Sequence, residues 1–221
     1  AASSQPEPPR GDIPLDSASA ARVEQSKSFG AQPDVFALTS VNLNVMEAKV
    51  KDEELKFAAA SASSRVDAVL AEDWTAVDNA GAAALQAALK HPVVGASMAG
   101  FPHSRDVFLE HLRNVWSLMA VWRQPRHIRL FGLLHSFFGT ESFKFMVVRD
   151  QKEGVTFLEN LLGTEAADLI YKFGQINETE MVEKVKSAGR IPPEGLKVSN
   201  LLRFSQPVVL SARDVAAILV M

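Results

Sequence analysis

PHSRDVFLEHLRNVWSLMAVWRQPRHIRLFGLLHSFFGTESF, residues 102–143, is the stretch on which the fold turns. It holds two apolar stripes separated by one proline. Phe108, Leu112, Val115, Met119 and Trp122 recur at intervals of three and four, the spacing of an amphipathic helix with one buried face. Ser104 is the N-cap candidate for that helix, and Asp106 falls in its first turn. Pro125 opens a second helix, since its fixed φ suits a helix start. Ile128, Phe131, Leu134 and Phe138 give this helix a wide apolar face, closed by Gly139. The expected fold is mainly α, a helical bundle.

Downstream, the same punctuation continues. Thr140 is the cap of a helix carrying Phe143 and Val147, and a helix over 153–162 ends at Gly163, a glycine in the C′ position. Thr164 caps 165–173 and Asn177 caps 178–187. After AGRIPPEG (188–195), the stretch LKVSNLLRFSQPVVL (196–210) is extended or irregular. Ser211, with Asp214 at the capping-box offset, opens a last apolar helix running to Met221.

Upstream, residues 57–91 are Ala-rich, with Val66, Val69, Leu70, Trp74, Val77, Leu85 and Leu89 at spacings that suit two helices. The expected break is a turn at Asp78-Asn79-Ala80-Gly81. His91-Pro92 ends the second, because a residue before proline avoids the helical region. Over residues 35–56, the alternation of Val41, Leu43 and Val45 suits a short strand or a helix start. The organisation read from these shifts is an extended tail over 1–34, a helical extension over 35–95, and a helical domain over 96–221.

The first thirty-odd residues are rich in proline and almost devoid of large apolar side chains, so they cannot offset their own ordering entropy. Such a tail is expected to be ordered only against a partner. The start at Ala1-Ala2-Ser3-Ser4, without Met, reads as a processed form whose targeting peptide has been removed, or equally as a start chosen in cloning. Arg10-Gly11-Asp12 matches an adhesion triplet by letter only.

Composition removes several function classes. A formal net charge of -3 over 221 residues argues against a dedicated nucleic-acid binder, which is normally basic. With no cysteine, disulfide scaffolds, thiol nucleophiles and thiolate metal sites are excluded. No run approaches the ~18 apolar residues of a membrane span. There is no GxGxxG, P-loop, GxSxG or HExxH signature.

The five histidines all lie between 91 and 135. His111 sits at the edge of one buried stripe and His135 within FGLLHSFFG. Two such histidines on consecutive helices are either satisfied core groups or a pair able to meet at a metal. Around Pro125, Arg123, Arg126, His127 and Arg129 make either a solvated turn or a phosphate-holding group near a helix start. Glu141 is either a first-turn carboxylate or a ligand.

His111 in one helix, followed by His135 in FGLLHSFFGT, resembles the opening of an HD-type helical domain. More closely, the 102–143 stretch is similar to an uncharacterised family of helical domains related to the HD superfamily. The resemblance covers about residues 100–221. It implies an HD-like helical bundle in which His111 and His135 are the ligand positions, with His103 a possible third contact. Catalytic HD domains bind one or two metals for phosphohydrolysis through a His-Asp pair and a later Asp. Here Ser136 stands where that metal-binding Asp belongs, and a neutral hydroxyl cannot balance a divalent charge. Only Asp214 lies near the later Asp, at the start of the final helix rather than its middle.

Two functions follow as expectations. The first is a non-catalytic accessory or scaffold subunit, with a degenerate HD-like bundle and an N-terminal arm that binds protein partners through residues 1–50. Its setting would be an organellar assembly, a plastid photosynthetic complex being the suggested one, peripheral to the membrane rather than integral. The alternative is an HD-type hydrolase or oxygenase acting on a phosphorylated small molecule. In it, iron, manganese or zinc is held by His103, His111, His135 and Glu141, and Arg126 and Arg129 hold the phosphate.

Overall fold

The computed structural model describes residues 55–99, 101–103, 106–203 and 205–221, the side chains of Pro102, His103 and Asp106 excepted. The extended tail and the alternation over Val41, Leu43 and Val45 lie outside these residues. After a helical stretch over 55–59 come α1 (Ala62–Leu70), α2 (Trp74–Val77), α3 (Asn79–Lys90) and α4 (Pro92–Ala99). A hairpin, β1 (Pro102–His103) with β2 (Asp106–Val107), leads into α5 (Phe108–Val121) and α6 (Arg126–Leu134). Then follow α7 (Gln151–Leu162), α8 (Thr164–Phe173) and α9 (Glu178–Ala188). A second hairpin pairs β3 (Leu196–Val198) with β4 (Val208–Leu210) before α10 (Ala212–Val220). The fold is mainly α, as the apolar periodicity requires.

The bundle is built on α5 packed against α6, with α8 also packed against α6 and α7 against α8. One core runs through it, from Leu85 and Val94 through Phe108, Leu112, Phe131 and Leu134 to Ile170, Val215 and Ile218. The caps read from the sequence at the C-terminal end are present. Asn177 accepts from the Glu180 N–H at 2.8 Å. Ser211 and Asp214 form the reciprocal capping box that starts α10.

Several local readings are corrected. The helix expected from Ser104 begins at Phe108 instead, with Val107 at its N-cap. Asp106 belongs to β2, paired with His103, because the backbone there first folds into a hairpin; Ser104 lies outside the described residues. Trp122 follows the end of α5 and is 54% exposed, whereas Trp116 is fully buried. The buried stripe is thus Phe108, Leu112, Trp116, Met119 and Ala120, rotated from the expected one towards Trp116.

No helix follows Thr140. Its hydroxyl accepts from the Phe143 N–H at 3.1 Å, and its own N–H bonds the Phe143 carbonyl, so residues 140–143 form a turn. Phe143 and Phe145 then reach one aromatic cluster with Phe101 and Phe108, and the rings of Phe101 and Phe145 stack at 3.7 Å. A two-residue alternation serves that cluster where a helical period would not.

Gly163, at φ 90°, is the N-cap of α8, and Thr164 is already inside the helix. Nor do residues 78–81 make a loop: α3 starts at Asn79, directly after Asp78. Gly81 sits inside α3 because a Cβ there would collide with the indole of Trp116. On α1 the expected apolar face is not buried, since Leu70 is 79% and Val66 40% exposed, while Arg65 is enclosed. The irregular-or-extended stretch 196–210 resolves into the β3–β4 hairpin.

Candidate functional site

The connection between α5 and α6 is only residues 122–125, so the chain turns back at once and the first turn of α5 meets the end of α6. His111 sits in that first turn, and His135 is the C-cap residue of α6. Their Nε2 atoms lie 3.1 Å apart, with ring centroids at 5.0 Å and planes at 68°. His135 is 5% exposed, with Phe173 against its ring.

The bond order of the pair follows from its neighbour. His135 Nδ1 is 2.9 Å from the Gly132 carbonyl, an oxygen that can only accept. Nδ1 therefore carries the proton, and the Nε2 of a neutral His135 presents a lone pair. His111 must then donate its Nε2–H across the 3.1 Å gap. The same geometry, with a carbonyl fixing one ring so that the other nitrogen faces inward, is how metal-bound histidines are oriented. Two imidazoles on one tetrahedral ion, with bonds of about 2.0–2.1 Å, would hold their nitrogens roughly 3.3 Å apart.

Among the described side chains, the other candidate ligands do not join them. Glu141 places its carboxylate on Thr179, accepting from the backbone N–H at 2.9 Å and the hydroxyl at 3.2 Å. It thereby caps α9, near Glu178, rather than the histidines. Burial first, and the Glu141 charge second, raise the Glu178 pKa above the ordinary carboxylate value. Ser136 is 1% exposed and contributes no charge. Asp214 accepts from Lys172 at 2.9 Å and closes the α10 capping box. For His103, the structure describes the backbone in β1 and not the side chain. Among the described residues no three His, Asp or Glu groups gather as a metal set.

The arginines are also accounted for by the fold. Arg129 is buried in α6 and forks onto Asp78: Nε donates to Oδ2 at 2.8 Å and Nη2 to Oδ1 at 3.3 Å. Its Nη1 donates to the Gln124 carbonyl at 2.9 Å, and Trp116 Nε1 donates to the same Asp78 Oδ2 at 3.1 Å. Arg126 Nη1 reaches the Leu162 carbonyl at 3.3 Å, bridging α6 to the end of α7. Asp78 and Arg65 were not marked by the sequence. Asp78 reads as a turn residue, and an arginine in an Ala-rich helix reads as solvent-facing; neither carries a signal of burial.

Residues 92–178 match the family described as a domain of unknown function (DUF6817). No curated protein and no solved structure matches the chain.

Proposed function

We propose that this chain is a non-catalytic binding subunit: a degenerate HD-like helical bundle acting as a scaffold, with residues 1–50 as the arm that grips protein partners. The observation that carries this reading is that the fold already engages both groups, Arg129 in the buried core and Glu141 at the partly exposed start of α9. Arg129 spends both edges of its guanidinium on Asp78 and Gln124, and Glu141 holds the start of α9. A hydrolase needs a free cation to neutralise a transferring phosphate and a carboxylate on the metal. Here the fold itself employs both groups. The setting we favour is peripheral attachment to an organellar assembly, with a plastid photosynthetic complex as its first candidate. No helix among the described residues is long and apolar enough to cross a membrane.

Hydrogen exchange on the full chain tests the proposal, alone and in the complex isolated from its native source. Residues 1–50 are expected to exchange freely alone and to gain protection in the complex. Protection of that segment in the isolated chain would count against it.

A second reading rests on the 3.1 Å approach of the two Nε2 atoms. In it His111 and His135 hold iron, manganese or zinc, the remaining ligands coming from outside the described side chains, His103 first. Two imidazoles alone do not make a hydrolytic site, and no reaction step is assigned to them. Metal analysis of the purified chain separates the readings: near-stoichiometric metal, lost on His135→Ala, would establish the second.

A further inference from the structure

Arg65 lies in the first turn of α1 with 0% of its surface exposed. Its Nη1 donates to the carbonyls of Phe57 at 3.1 Å and Ala60 at 2.6 Å. The opposite edge, Nε with Nη2, is enclosed and makes no hydrogen bond at either atom among the described residues. Those two N–H groups point the same way and form the fork with which arginine grips two oxygens of one anion.

Among the described residues, the charge around this fork is unbalanced. Arg123 Nη2 donates to the Ala58 carbonyl at 2.7 Å, and Arg129 lies over the ring of Phe57 at 3.6 Å, the ring that Arg65 approaches at 4.7 Å. Three guanidiniums thus converge on residues 57–60. Asp78 is already held by Arg129 and Trp116. Among the described residues, the hydrogen-bond acceptors of Arg65 and Arg123 are carbonyl oxygens. Burial, then the charges of Arg123 and Arg129, lower the Arg65 pKa from its ordinary value. The carbonyls that would repel an anion at the end of this helical stretch are masked by the arginine N–H groups they accept.

We propose that the Nε–Nη2 edge of Arg65, with Arg123 beside it, is a binding site for a phosphate group. The fork matches two phosphate oxygens, and a charge of about −1.5 to −2 at neutral pH balances the two guanidiniums that no carboxylate among the described residues neutralises. A carboxylate would balance one. Because both donors are closed to solvent, the anion enters through a local opening, and binding is slower than diffusion.

The test is calorimetric and thermal titration of the full chain with orthophosphate, against chloride at equal ionic strength and against acetate. Saturable binding and a rise in Tm are expected with orthophosphate only. Arg65→Lys, which keeps the charge and removes the fork, should weaken binding at least tenfold. Arg123→Gln, an exposed position, should weaken it several-fold, and serves as the readout if the Arg65 variant does not fold. Phenyl phosphate as a further probe distinguishes sources. Equal affinity supports an esterified phosphate as the natural ligand, and binding of orthophosphate alone supports the free ion. No stabilisation beyond chloride would overturn the site. Unchanged affinity in both arginine variants would do so too, and acetate binding as well as orthophosphate would overturn the ligand class.

Discussion

Asp78 and Arg129 form an ion pair of 2.8 Å whose side chains are 2% and 1% exposed, between a residue preceding α3 and one within α6. The pair ties the N-terminal helices to the central bundle, and Trp116 of α5 joins it as a third donor. Charges so enclosed are costly to desolvate, and the pair is tolerable because both carboxylate oxygens and all three guanidinium nitrogens find partners. Breaking it from one side strands the other charge. Asp78→Asn is expected to cost about 3–5 kcal/mol in urea denaturation, and Asp78→Asn with Arg129→Met markedly less than the two single losses combined. Additive losses would show that the two side chains are not coupled.

What the sequence disclosed depended on how local the determining contact is. Asn177 and Ser211 cap the helices that follow them through bonds spanning three residues, which a short stretch of sequence contains. Pro125, the N-cap of α6, is equally local. Thr140 carries the same cap-forming chemistry, yet its turn serves an aromatic cluster assembled from Phe101 and Phe108, over thirty residues upstream. That competition is invisible in a window of eleven residues. The site divides in the same way. The two histidines were legible because their helices are adjacent and joined by a short turn. The employment of Arg129 by Asp78, 51 residues away, and of Glu141 by Thr179, 38 residues away, was not.

His135 is the next test. It is buried, donates from Nδ1 to the Gly132 carbonyl and accepts at Nε2 from His111. Removing it leaves a cavity and two polar groups short of a partner. His135→Ala is expected to lose roughly 2–4 kcal/mol, and His135→Phe less if packing is the whole role. Nitrogen NMR of the metal-free chain should find His135 as the Nδ1–H tautomer. An Nε2–H tautomer would refute the hydrogen-bond order assigned to the pair.

Gly81 makes a sharper point about packing. Helix interiors ordinarily prefer alanine to glycine, by about 1 kcal/mol. At this position the added methyl meets the Trp116 indole, a fully buried ring whose Nε1 is bonded to Asp78. Gly81→Ala is therefore expected to destabilise by about 1–3 kcal/mol despite the better helix propensity. Fluorescence of the unfolding transition measures it, and a stabilised variant would mean that the ring moves aside freely.

The acidic face at the start of α9 gives a prediction with two opposite signs. Glu180 is held down to about 2, first by the Lys184 ammonium at 2.7 Å and then by donors on Ser199, whose backbone N–H is 2.9 Å away. A carboxylate with a lowered folded pKa binds its proton more weakly than in the unfolded chain. Its stabilisation is present above the unfolded value of roughly 4.3 and lost as the pH falls towards 2. Glu178 is the reverse, raised by burial and by Glu141. Its folded form prefers the proton, so its charge weakens the fold at pH 7, and the penalty fades as acid protonates it. Glu180→Gln should thus lower Tm at pH 7, with the difference shrinking between pH 5 and 2. Glu178→Gln should raise Tm at pH 7 by roughly 1–2 °C, since both groups keep some solvent, and the gain should vanish below about pH 4. Thermal unfolding of the two variants and the parent across pH 2–7 measures both trends. Shifts of the same sign at pH 7 would refute the raised pKa of Glu178, which burial and then Glu141 produce.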